Sequence, residues 1–136
     1  MTVAGSGARM ASNSQTISIT GTLRLQSSKF DFLGNNTRVI SMQPSSTMRL
    51  SAGSLAGAVA ANFICPSGTY DIVYDGTRAQ TSGFEWVDGN DKVNNVWIGS
   101  VTGAATSIAV TLALGARRIN GNINLNSSTA TCLTFR

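Results

Sequence analysis

Between Thr16 and Leu25 the chain reads TISITGTLRL, and this stretch constrains the fold more than any other. Ile17, Ile19, Leu23 and Leu25 fall on alternate positions, with Gly21 in the same register. Thr16, Ser18, Thr20, Thr22 and Arg24 fill the other register. A period of two sends successive side chains to opposite faces, so one face is apolar and the other wet. Thr and Ile are β-branched and suit a pleated surface. Read as one strand, the ten residues span roughly 33 Å. A long half-buried strand needs a second layer over its apolar face.

The rest of the chain supplies more strands. Ser107–Leu114 sets Ile108, Val110, Leu112 and Leu114 against Ala109, Thr111 and Ala113. Thr69–Tyr74, Gly83–Val87, Val93–Val101 and Thr129–Phe135 also read as strands. Asp75-Gly76, Asp88-Gly89-Asn90-Asp91 and Asn120-Gly121 are hairpin signals. Turn signals recur every 8–15 residues, and no fixed repeat of 20–50 residues is visible. The expected fold is therefore all-β: an antiparallel β-sandwich, jelly-roll-like, over residues 16–136. Residues 1–15, MTVAGSGARMASNSQ, are small and polar and read as a flexible N-terminal arm.

Charge is scarce. Charged residues are 12% of the 136, about half the ~25% usual for globular domains, and the net charge is +4. Eight of the ten basic residues are Arg, the cation that pairs bidentately and stacks on aromatics. A low-charge, Arg-favouring surface suits a protein packed against others, and Arg9, Arg117 and Arg118 are candidate interface residues. Ten cations spread along the chain, with Arg117-Arg118 the one adjacent pair, argue against a phosphate-binding patch and so against nucleic acid. No apolar run reaches the 18 residues or so that a membrane span requires, and the N-terminal segment lacks the apolar core of a signal peptide. Synthesis in a reducing cytoplasm is expected, with Cys65 and Cys132 as free thiols and a bridge between them the alternative in an oxidising environment.

The chain contains no histidine. That removes the commonest general base and metal ligand, and with it Ser–His and Cys–His nucleophiles. Two cysteines without histidine do not make a usual zinc site. Glu85, flanked by Phe84 and Trp86, is the one carboxylate placed for acid chemistry, and reads more simply as a solvent-facing strand residue. Asp88–Asp91 has close-spaced oxygen ligands but lacks the spacing of a calcium loop. No catalytic, metal or cofactor residues are assigned, and the chain is not read as an enzyme. Trp86 and Trp97 are the candidate stacking residues should the domain bind sugar.

Taken whole, the small size, the polar arm and strands such as TISITGTLRL and SIAVTLAL resemble a tailed-bacteriophage capsid decoration, or cement, protein of the β-sandwich kind. The resemblance covers the whole chain in organisation and rests on no short motif, so it transfers no functional residue. It implies a structural virion protein on the outer surface of a capsid, made in the host cytoplasm. Its implied partners are the major capsid protein, whose neighbouring subunits it bridges, and further copies of itself as homo-dimer or homo-trimer. The alternative expectation is a carbohydrate-binding β-sandwich module, or a tail-fibre or spike component, that recognises host glycans.

Overall fold

The computed structural model describes residues 1–3, 8–9, 14–26, 29–32, 37–56, 62–86, 91–102, 106–113 and 117–135. Among the described residues, fifteen short strands follow one another around successive coils. The first coil holds β1 (Thr2–Val3), β2 (Ala8–Arg9) and β3 (Gln15–Ile19). The second holds β4 (Thr22–Leu25), β5 (Lys29–Asp31) and β6 (Arg38–Met42), and the third β7 (Thr47–Leu50), β8 (Ser54–Ala56) and β9 (Phe63–Ile64). The fourth holds β10 (Tyr70–Tyr74), β11 (Gln80–Thr81) and a 3-10 turn at Phe84–Trp86. The fifth holds β12 (Val93–Gly99) and β13 (Val110–Thr111), and the sixth β14 (Ile123–Asn126) and β15 (Leu133–Thr134).

Strands stack coil on coil. The main sheet runs β1-β4-β7-β10-β12-β14, and three smaller sheets run β2-β5-β8, β3-β6-β9 and β11-β13-β15. Every one of these pairings is parallel. The molecule is a β-solenoid. This overturns the antiparallel β-sandwich and jelly-roll expectation. Alternation sets which face of a strand is buried, but says nothing about the direction of its neighbour. The corners that turn the chain from sheet to sheet use the same Gly, Ser, Asn and Asp residues as hairpins.

Two particulars show how this works. The TISITGTLRL stretch is not one strand: Thr20-Gly21 breaks it into β3 and β4, which lie in different sheets. Asp75-Gly76 is a corner rather than a hairpin. The Asp75 N–H donates to the Leu50 carbonyl at 3.1 Å, and a Cβ on Gly76 would lie 1.3 Å from the Ser51 carbonyl oxygen. Only glycine lets the fourth coil come that close to the third.

A repeat is present after all. In the main sheet Leu23 stands on Met48, Met48 on Ile72, Ile72 on Val96 and Val96 on Ile123, in steps of 25, 24, 24 and 27 residues. Its trace in the sequence is the pair TLRL at 22–25 and TMRL at 47–50. Unequal corners and changing residue types hide the rest.

The interior is a set of columns. Leu23, Met48, Ile72 and Val96 form one, and Leu25, Leu50, Tyr74 and Ile98 another, all buried. Phe30 and Phe32 meet at 5.4 Å, and Phe63 meets Tyr70 at 5.5 Å in an edge-on contact. Each such side chain contributes roughly 1.5–3 kcal/mol by leaving water. Within the segment read as an arm, Thr2–Val3 pairs with β4 and Ala8–Arg9 with β5.

Candidate functional site

The outer face of the main sheet carries an organised polar surface. Because side chains alternate, the residues between the buried columns form columns of their own. Arg24 stands beside Arg49, Arg49 beside Val73, Val73 beside Trp97, and Trp97 beside Asn124. A second column runs Thr22, Thr47, Asp71. A register shift between Tyr70 and Ile72 then places both Asn94 and Asn95 against Asp71.

Asp71 Oδ1 organises that end of the face. It accepts from Asn94 Nδ2 at 3.2 Å, from the Asn95 backbone N–H at 3.0 Å and from Asn95 Nδ2 at 3.2 Å. None of these bonds uses Oδ2. Asn95 Oδ1 in turn accepts from the Asn122 N–H at 3.0 Å, tying the last coil to the same network.

At the opposite end, Asp75 gathers two arginines. Arg49 Nε donates to Asp75 Oδ2 at 2.5 Å, and Arg49 Nη2 also pairs with that oxygen. Ser51 Oγ donates to Asp75 Oδ1 at 2.6 Å and accepts from Arg24 Nε at 3.1 Å. Arg24 Nη2 lies 4.0 Å from the same carboxylate. The guanidinium of Arg49 is thereby held in one place above Val73.

Between these ends is a depression of about 270 Å³, lined by Thr22, Thr47, Arg49, Asp71, Trp97 and Val101, with Val73 at its floor. Trp97 is half-buried, so part of its indole is open to the depression. A flat aromatic surface beside fixed hydrogen-bonding groups can stack on an apolar ligand face and orient it by polar contacts.

The two tryptophans singled out from the sequence therefore part company. Trp97 lies on this face. Trp86 is 1% exposed in the 3-10 turn and donates its indole N–H to the Arg118 carbonyl at 3.2 Å, so it is a core residue. The arginines also separate. Arg118 is exposed, whereas Arg117 is half-buried and its charge acts on Tyr74 and Glu85. Arg9 is in β2, in register with Asp31. The strand that carries Arg9 belongs to a different sheet from the strand that carries Trp97.

Glu85 is not a solvent-facing strand residue. It is 3% exposed, and its Oε1 accepts from the Tyr74 hydroxyl at 2.8 Å and from the Gly83 N–H at 2.7 Å. Burial pushes its carboxyl above the ordinary 4.5, against the opposing pull of those hydrogen bonds and of Arg117. Burial likewise holds the Tyr70 and Tyr74 phenols well above their usual value, with the Glu85 charge adding to it. Tyr70 donates to the Glu85 carbonyl at 2.6 Å. The group reads as a satisfied buried network.

Cys65 and Cys132 are free thiols, and burial raises the Cys65 pKa. Of the Asp88–Asp91 turn, only Asp91 lies within the described residues. Among the described residues no three His, Cys, Asp or Glu side chains gather as a metal site would require. No helix among them is long and apolar enough to cross a membrane.

Arg24, Arg49, Asp71 and Asp75 were missed in the sequence because they lie far apart along it. The signal that would have found the two arginines is the TLRL/TMRL pair, which puts Thr22 over Thr47 and Arg24 over Arg49 once the strands are stacked. Comparison with known proteins adds nothing further: no family model, no curated protein and no solved structure matches this chain.

Proposed function

We propose that this chain is a binding module that presents the outer face of its main parallel sheet to a saccharide, as a fibre or spike component of a virion surface would. The observation that carries the reading is the half-exposed Trp97 beside the fixed Arg49 guanidinium and Asp71. The apolar face of a pyranose ring stacks on the indole, while its hydroxyls meet Asp71 Oδ2, Arg49, Thr22 and Thr47. A stacked parallel sheet is rigid, so these groups lose little entropy on binding.

Titration of the intrinsic fluorescence with a glycan panel tests this. Trp86 is enclosed, so the response is expected from Trp97 and disappears in Trp97→Ala with the melting temperature nearly unchanged. A broad glycan array without a hit sinks the saccharide reading.

The capsid-stabilising role implied by the resemblance remains a second proposal for the same face. It is favoured by the mixed charge there, two arginines beside two aspartates, which suits a protein surface carrying both signs. Co-sedimentation with capsid shells, lost in Arg49→Glu, separates it from the saccharide reading.

A further inference from the structure

Among the described residues, one edge of the main sheet has no strand paired to it. β14 is the terminal strand of that sheet, and its inward-facing residues are uncovered: Ile123 is 37% exposed and Leu125 58%. In the coils before it, the equivalent positions Val96 and Ile98 are fully buried. Edges of this kind are normally blunted by charge or proline. Here no charged residue and no proline occurs from Ile119 to Phe135.

The direction of the free backbone groups follows from the ladder. The Val96 N–H donates to the Asn122 carbonyl at 2.9 Å, and Val96 is in register with Ile123. In a parallel ladder a residue directs its N–H and C=O to the same neighbour, and the next residue directs its pair the other way. Asn122, Asn124 and Asn126 therefore bond towards β12. The N–H and C=O of Ile123 and Leu125 point outward from the edge.

We infer that this edge binds a second copy of the chain, through antiparallel pairing of β14 with β14 about a two-fold axis at Asn124. Ile123 of each copy then faces Leu125 of the other, and the four residues exchange four backbone hydrogen bonds. Apolar side chains meet apolar side chains on the inner side, so each copy caps the other's open column. Asn124 faces its own symmetry mate on the outer side, as a non-hydrogen-bonded pair. Moving the axis to a neighbouring residue leaves an apolar side chain opposite Gly121 or Ser127.

One feature favours a closed dimer over head-to-tail stacking of β14 on β1. At the other end of the sheet β1 has two residues against the four of β14. Heterologous stacking would pair unequal edges and would not close.

The interface is small, so the pairing is reversible and concentration-dependent. Light scattering after size exclusion, run from low to high micromolar protein, is expected to rise from 14.1 kDa towards twice that mass. Leu125→Lys should hold the protein at monomer mass with an unchanged circular dichroism spectrum. A cysteine at the axis reads the register directly, since a non-hydrogen-bonded pair brings the two Cβ atoms within disulfide reach. In a Cys132→Ser background, Asn124→Cys is expected to give a covalent dimer on mild oxidation, and Asn122→Cys none. Monomer mass throughout with no Asn124→Cys dimer overturns the inference. Mass growing without limit also overturns it, in favour of head-to-tail stacking.

Discussion

The two faces of the main sheet are built from the same strands and answer to different physics. On the inner face, Leu23, Met48, Ile72 and Val96 form a closed column whose members differ in shape but all exclude water. On the outer face, Arg24, Arg49, Val73 and Trp97 run in parallel with them, one residue out of phase. Buried positions are held by volume, because a packed interior feels the loss of a single methylene. Outer positions are held by what they bind to each other, so they carry the chemical variety from which a site can be made. The solenoid thus separates stability from recognition by a single step along the strand.

That separation can be broken most directly from the inside. Ile72→Ala removes the centre of the inner column and is expected to cost about 2–5 kcal/mol, read as a lower urea midpoint with unchanged slope. A cost under ~1 kcal/mol would mean the column is not closely packed. Tyr74→Phe deletes the side-chain donor to Glu85 Oε1 and leaves a buried carboxyl less satisfied. The expected loss is about 1–3 kcal/mol.

The same network sets a pH dependence. The Glu85 carboxyl has a folded value above its ordinary 4.5, so between the two values the folded chain holds a proton that the unfolded chain releases. The associated stability is fully present below about 4.5 and is lost as the pH rises through the folded value. Tyr74 remains a neutral donor throughout, since its own value is pushed up. Thermal melting across this range should therefore show a decline that Glu85→Gln abolishes. A decline that persists in Glu85→Gln would place its source elsewhere.

The outer face is expected to respond least. Arg49→Ala removes a one-third-exposed partner from Asp75, which keeps its bond from Ser51. The cost to folding is about 1–2 kcal/mol, more than for an exposed ion pair, because the Asp75 side chain is only 6% exposed. Its effect on saccharide titration should be the larger one. A variant that unfolded instead would show that the outer column, too, is structural.

Much of the inner face was legible in the sequence. Ile108, Val110 and Leu112, placed together by alternation, are indeed buried, as are Leu23 and Leu25; Leu114, the fourth member of that alternation, lies outside the described residues. The site was not. Arg49 and Asp75 lie 26 positions apart, and they meet only because the chain completes a coil between them. Trp86 and Trp97 look alike as aromatic residues among strands. One is in a 3-10 turn facing inward and the other on a strand facing out, a difference that no local pattern carries.

What the sequence determined by itself was all-β character and the assignment of faces, because side-chain alternation and β-branching act within a few residues. What only the tertiary structure decided was the direction of pairing, the coil length and the company each outer residue keeps. Those depend on hydrogen bonds between residues some 24 positions apart, formed across corners whose composition serves a hairpin equally well.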